Sequence, residues 1–398
     1  MSIFERVQPY PPDPIFGLEA QFRDDPRPKK VNLIVGTYRC PDLKLRTMRS
    51  VVEAEKLLIR GEENKAYLPM GGQRAFLERV QQLVFGDMMY HALQKKLTAI
   101  QSLGGTGALH LGGRFLKHVV SDRLYLPSPT WPNHREVFES CGMTIEHYPY
   151  YNTGESEVDY ESMLKTFSRL PKKSIIILHA CCHNPTGYDL DRSQWRELSL
   201  LLLRKGLIPF FDFAYQGFGH GLRNDAWAVR HFAEQGHEML VATSCSKSFG
   251  LYGERVGCLS ILSNDSRLCQ NVEDSIKKIV RGSYSNPPLH GASIVSTILG
   301  NDRLKKMWME EMSQMHLHIK EMRAMLADAL ISQRGGDKFQ ILRNGVGLFS
   351  MLGLEGGQVE KLREEYGIYC TENSRLNLTG LSRENIAYVI EAIMKTDR

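Results

Sequence analysis

The chain is 398 residues long, 42% hydrophobic and 24% charged, with a net charge of +5 at pH 7. This is the composition of an ordinary globular protein, and the length is enough for two domains. The small basic excess, without a lysine or arginine block, excludes a dedicated nucleic-acid binder, and the longest apolar runs, such as residues 200–203, exclude a membrane span.

The eight cysteines contain no CxxC pair and no spacing that reads as a disulfide framework. They are expected to be reduced and mostly buried. With no signal-peptide apolar region after Met1, the expected location is the cytoplasm. Pro9, Pro11 and Pro12 bar residues 1–12 from helix and central strand, so they read as an extended arm. A strand at 31–36 and an amphipathic helix near 47–60 follow. From residue 97 the chain alternates apolar strands with helical patterns: strands are predicted at 98–103, 123–126, 144–150, 174–180, 207–213, 238–243 and 256–262. Near-continuous apolar runs of this kind are buried on both faces, which predicts a mostly parallel α/β sheet between helices. Past residue 300, Leu304, Trp308, Met312, Met315, Ile319, Met322 and Leu326 mark one face of a long helix ended by Gly335-Gly336. A smaller α+β segment with strands near 346–353 and 376–380 and a closing helix near 383–395 completes the chain.

Four strand-end loops carry unusual polar residues. Ser102-Leu103-Gly104-Gly105-Thr106-Gly107 opens a helix whose free N–H groups suit an anion such as phosphate. It is not a dinucleotide fingerprint, since His110 stands where the last glycine is needed, and no GK[ST] P-loop occurs. Ser128-Pro129-Thr130-Trp131-Pro132 holds a tryptophan rigidly enough to stack on a flat ligand. In His179-Ala180-Cys181-Cys182-His183-Asn184-Pro185 the spacing is wrong for structural zinc, and no metal is expected; Asn184 before proline offers a fixed amide. Asp212, in Phe211-Asp212-Phe213-Ala214-Tyr215, is an aspartate in an aromatic strand end, a placement that calls for a cationic partner.

The fifth stretch, Ser244-Cys245-Ser246-Lys247-Ser248-Phe249-Gly250, places a lysine at the end of a buried strand, with Arg255 shortly after. It matches SxxK, but the SDN and KTG elements of serine acyl enzymes are absent. An amine, an anion cradle, a flat stacking ring and a carboxylate for a ring nitrogen together describe a site for pyridoxal 5'-phosphate.

The stretches GGTGALH, SPTWPNH, HACCHNPTG, FFDFAYQGF, SCSKSFGLYGERVG, YSNPPLHGA and SRLNLTG, in this order, resemble the aspartate aminotransferase family, fold type I of the pyridoxal-phosphate enzymes, over essentially the whole chain. The resemblance implies a seven-stranded, mostly parallel large domain at 46–310 and a small domain made of 13–45 and 311–398. It implies that Lys247 holds the cofactor covalently and moves the proton, that Asp212 keeps the ring nitrogen protonated, and that Tyr215 and Asn184 bond the phenolic oxygen. Trp131 would stack on the ring, and Gly105, Thr106, Ser244 and Arg255 would bind the phosphate. Tyr67 would reach the phosphate in the neighbouring subunit, making a homodimer with shared sites.

For the substrates, small amino acids and 2-oxo acids, the resemblance gives the α-carboxylate to Arg375 and a side-chain carboxylate to Arg281 from the partner, with Gly36, Trp131 and Asn184 lining the same pocket. The implied reaction moves the amino group of L-aspartate to 2-oxoglutarate by a ping-pong route through pyridoxamine phosphate. An aromatic or broad-specificity aminotransferase is the alternative, ahead of a lyase, a decarboxylase or a non-catalytic cofactor-binding protein. Ile34, where glycine is usual, Gly253, where asparagine is usual, and the loop 43–48 depart from the family pattern.

Overall fold

A computed structural model describes residues 2–61, 64–152, 157–334 and 339–396. Seven strands form the central sheet: β1 (Leu97–Leu103), β2 (Arg123–Ser128), β3 (Thr144–Pro149), β4 (Ile175–His179), β5 (Ile208–Phe213), β6 (Met239–Ser244) and β7 (Val256–Leu262). Their order across the sheet is β1-β7-β6-β5-β4-β2-β3. All neighbours pair in parallel except β7, which runs antiparallel to both β1 and β6. The seven expected strands are therefore the seven observed, with ends shifted by a residue or two.

Side-chain alternation divides these strands between two cores. Ile175, Ile177, Phe210, Leu240 and Ala242 pack into one cluster, and Ile176, Leu178, Phe211, Phe213 and Val241 into the other. Each such side chain is worth about 1.5–3 kcal/mol when fully removed from water, so both faces must be covered by helices. The crossover Arg192–Lys205 shows how sequence sets such a helix. Asp191 caps its start, accepting from the N–H groups of Ser193 and Gln194 while Gln194 reaches back, and Gly206 ends it in a left-handed turn.

Among the described residues the remaining strands make three small pairings. Tyr151–Asn152 lies antiparallel to Glu157–Val158. Val31–Asn32 lies parallel to Ile368–Tyr369, and Phe349–Met351 lies antiparallel to Arg375–Asn377. The strands expected at 346–353 and 376–380 are shorter than the pattern indicated: Leu378–Gly380 is a turn of 3-10 helix, begun by Asn377 accepting from Thr379 N–H. The closing helix runs Ile386–Thr396, and the long helix Asp302–Arg334, so residues 310 and 311 fall inside one uninterrupted helix. Gly335-Gly336 lie outside the described residues. The long helix touches the lysine loop directly: Trp308 Nε1 donates to Ser248 O at 2.7 Å and its ring stacks on Phe249.

Candidate active site

The site lies where parallel strands end and β7 begins. After β1 the chain turns at Gly104, whose φ of +70° favours glycine and where a Cβ would sit 2.6 Å from Arg255 Nη2. Gly105 and Thr106 follow in the first turn of the helix Gly104–Val119. A Cβ on Gly105 would come within 3.0 Å of Ser244 Cβ, at the end of β6. Because β7 is antiparallel, Arg255 enters from its start. Its Nη1 donates to Tyr252 O at 2.9 Å, and its Nη2 lies 3.4 Å from Leu103 O. A helix N-terminus, a hydroxyl and an exposed guanidinium thus converge on one small space, the donor set for a phosphate dianion.

Beside this cradle lies a cavity of about 610 Å³, lined by Lys247, Asp212, Tyr215, Trp131 and Arg375 among others. The Lys247 ammonium lies 5.3 Å from the Tyr215 ring centre. Burial, opposed by the nearby Asp212 and reinforced by Arg255, holds its pKa below the usual lysine value. Asp212 is 7% exposed, and its Oδ2 lies 3.1 Å from His134 Nε2. Burial works to raise its pKa and is outweighed by the bond to His134 and by the neighbouring His134, His179 and Lys247, so the carboxyl sits below its ordinary value. The carboxylate is therefore kept charged in a dry place. Burial also holds the Tyr215 hydroxyl protonated, well above the phenolic range.

The third wall receives Arg375. Its Nη2 donates to Ile34 O at 2.7 Å and its Nη1 to Asn184 Oδ1 at 3.1 Å, while its Nε has no partner. The guanidinium lies 4.3 Å above the Phe349 ring. It is 2% exposed, and burial pulls its pKa down to about 10. A buried guanidinium with an orphaned N–H and no carboxylate partner among the described residues is a receptor for one. Gly36 borders the same space; a Cβ there would meet Phe349 Cζ at 2.6 Å.

Eleven of the thirteen residues singled out in the sequence line this one cavity: Gly36, Gly105, Thr106, Trp131, Asn184, Asp212, Tyr215, Ser244, Lys247, Arg255 and Arg375. Tyr67 and Arg281 do not. Tyr67 is 92% exposed, and Arg281 is exposed with Nη1 2.5 Å from Ser285 Oγ. The third loop divides. His179 groups with His134 and Asp212, of which Asp212 lines the cavity, whereas Cys181 and Cys182 cluster with Asp225 away from it.

Sequence reasoning missed His134, the partner of Asp212, although it lies in the quoted SPTWPNH stretch, three residues after Trp131. It also missed Phe349, whose only sequence signal was an apolar strand position, and Ile15 and Phe16, which line the cavity mouth.

The family model for aminotransferase class I and II matches residues 28–393. The chain belongs to this family. Among curated aminotransferases, it is 40% identical to an aspartate aminotransferase of Pseudomonas aeruginosa over 99% of this chain and 100% of that one. It is 39% identical to an aromatic-amino-acid aminotransferase of the same species, over 99% and 98% of the two chains. Among solved structures, an aromatic-amino-acid aminotransferase from Burkholderia pseudomallei covalently bound to pyridoxal phosphate superposes with a TM-score of 0.96 at 38% identity, covering 100% of both chains. The aminotransferase fold was thus correctly expected from the sequence.

Proposed function

We propose that the protein is a pyridoxal-phosphate aminotransferase that moves the amino group of L-aspartate to 2-oxoglutarate, giving oxaloacetate and L-glutamate. The observation that carries the reading is the convergence of Lys247, Asp212 and Arg375 on one cavity beside an anion cradle. The residues fit the cofactor: the glycine-walled cradle and Arg255 suit its phosphate, Trp131 its flat ring, the buried Asp212 carboxylate its protonated ring nitrogen, and Lys247 its aldehyde. When bound, that group supplies an electron sink for the pair left behind when an amino acid loses its α-proton.

The chain's own residues do the rest. Lys247 anchors the cofactor and, with its easily shed proton, moves the proton at the substrate's α-carbon. Asp212 keeps the ring nitrogen charged, with His134 fixing the carboxylate. Tyr215 donates its hydroxyl, and Asn184, whose Oδ1 is taken by Arg375, has its amide N–H groups left to donate. Arg375 grips the α-carboxylate as a fork.

The second carboxylate of the substrate falls to Arg281 of a neighbouring copy, and Tyr67 to that copy's phosphate site. Their exposure and distance from their own cavity support a homodimer, as does the exposed apolar arm with Ile3, Phe4, Val7 and Tyr10. Residues 13–45 and 311–398 act as the small domain against 46–310. Among the described residues no helix is long and apolar enough to cross a membrane, consistent with cytoplasmic action.

A specific observation favours a second reading, an aromatic or broad-specificity enzyme. Ile15, Phe16 and Leu109 give the cavity an apolar margin, and relatives of both kinds match equally well. Turnover of aspartate, tyrosine and phenylalanine with 2-oxoglutarate separates the two. Faster turnover of the aromatic acids overturns aspartate as the substrate.

A further inference from the structure

A second cavity of about 440 Å³ lies outside the site, lined by Cys181, Asp189, Trp195, His220, Asp225 and Trp227 among others. Asp189 connects it to the first. Its Oδ2 accepts from Cys182 N–H at 2.7 Å and its Oδ1 from His183 N–H at 2.9 Å. These are the two residues before Asn184. Cys182 is held at a φ of +52°, a left-handed conformation that a side chain resists, so the turn needs an outside restraint. The same turn is closed by Gly187 N–H donating to His183 O and by His183 Nδ1 against Thr186 Oγ1. At its end Asn184 Oδ1 meets Arg375 Nη1 at 3.1 Å.

We propose that Asp189 is a positioning residue for the amino-acid carboxylate: its carboxylate clamps the Cys182–His183 backbone so that Asn184 holds Arg375 in place. The inference rests on the reading that Asn184 and Arg375 face the substrate. The clamp needs the ionised form, because a neutral acid turns one acceptor oxygen into a donor facing an N–H. The groups around Asp189 make that ionisation sensitive to pH. Burial raises its pKa to about 6, the two N–H bonds work against this, Asp225 adds to it and His220 opposes it. Cys181, Cys182, Tyr150 and Arg323 complete its electrostatic surroundings. Below about pH 6 the clamp loosens, and the carboxylate grip with it.

The test compares wild type and Asp189→Asn, both as cofactor-loaded enzymes, from pH 5 to 9 with the amino acid that wild type turns over fastest. That choice keeps the comparison intact if aspartate proves not to be the substrate; failure of the substrate assignment then shows in the panel, not in this variant. The variant loses one acceptor for a backbone N–H, so KM rises about tenfold with kcat little changed. The KM rise that wild type shows below about pH 6 is absent from it, and cofactor affinity is unchanged. A variant with wild-type KM and pH profile, or one that only loses thermal stability, overturns the proposal. Should the variant fail to fold, wild type alone decides: a KM flat between pH 5 and 7.5 overturns it, and a rise toward low pH with constant kcat supports it.

Discussion

His134 Nε2 lies 3.1 Å from Asp212 Oδ2, and the histidine is itself fixed from behind by the Thr130 hydroxyl, 2.8 Å from Nδ1. Two groups from one strand-end segment therefore hold a carboxylate oxygen of another in place. Asp212→Asn keeps the shape but removes the charge proposed to face the ring nitrogen, and kcat is expected to fall about 10²-fold or more. His134→Ala leaves the charge and removes a charge-assisted bond, with an expected loss of about tenfold. Steady-state rates of the two variants check the order; equal losses would contradict it.

Lys247→Ala removes the only amine among the described residues that line the cavity. Transamination should drop by about 10⁴-fold or more, while the cofactor is still retained by the cradle without a covalent link. Spectroscopy of the purified variant and a sensitive coupled assay check both halves of this expectation. Wild-type turnover in the variant would sink the assignment.

Arg375→Lys keeps a positive charge and loses the fork. The ammonium cannot serve Ile34 O, Asn184 and a carboxylate at once, so kcat/KM for amino acids should fall about 10²-fold. The loss should appear for every amino acid in the panel, since all share the α-carboxylate.

Gly36→Ala drives a methyl group into the Phe349 ring, which lies between Arg375 and Tyr215. Relief requires the ring to move away from under the guanidinium. The expected cost is about 1–3 kcal/mol of stability together with a raised KM, read from thermal unfolding and substrate titration.

Acid should unfold the protein early. Burial holds His179 neutral, with its pKa pulled down to about 3, and holds His183 well below its ordinary value as well. Both bases bind protons in the unfolded chain below its ordinary value of about 6.5 and refuse them in the folded one, so stability is full above that pH and is lost as pH falls. At pH 5 the loss is roughly 2 kcal/mol per histidine. Thermal midpoints at pH 7.5 and 5 measure it; His179→Gln should reduce the difference by about half, the share of His183 remaining.

The sheet was legible because each strand had to be buried on both faces, which leaves unbroken apolar runs such as Ile175-Ile176-Ile177-Leu178 between turn residues. The small pairings were harder to bound. Phe349–Met351 and Arg375–Asn377 are three residues long, and their neighbours are buried by packing against helices, so hydrophobicity runs past the strand ends. In the site, residues with unusual chemistry for their place announced themselves, Asp212 among aromatics and Lys247 at a strand end. Those that act through another residue did not. His134 reads as an ordinary helix residue until Asp212 is seen beside it, and Asp189 reads as a loop aspartate until its two backbone partners are placed seven and six positions upstream.

The reversed strand β7 has a consequence for how the molecule is made. Strand β1 pairs with β7 and with no other member of the central sheet, yet some 150 positions of chain separate them. During synthesis β1 must wait, unpaired on one long apolar edge, until the ribosome has delivered the segment ending at Leu262. The glycine turn after β1 meets Arg255 and Ser244 only at that moment. Nascent chains halted before it therefore cannot take up the cofactor, and they expose the edge that chaperones are built to cover.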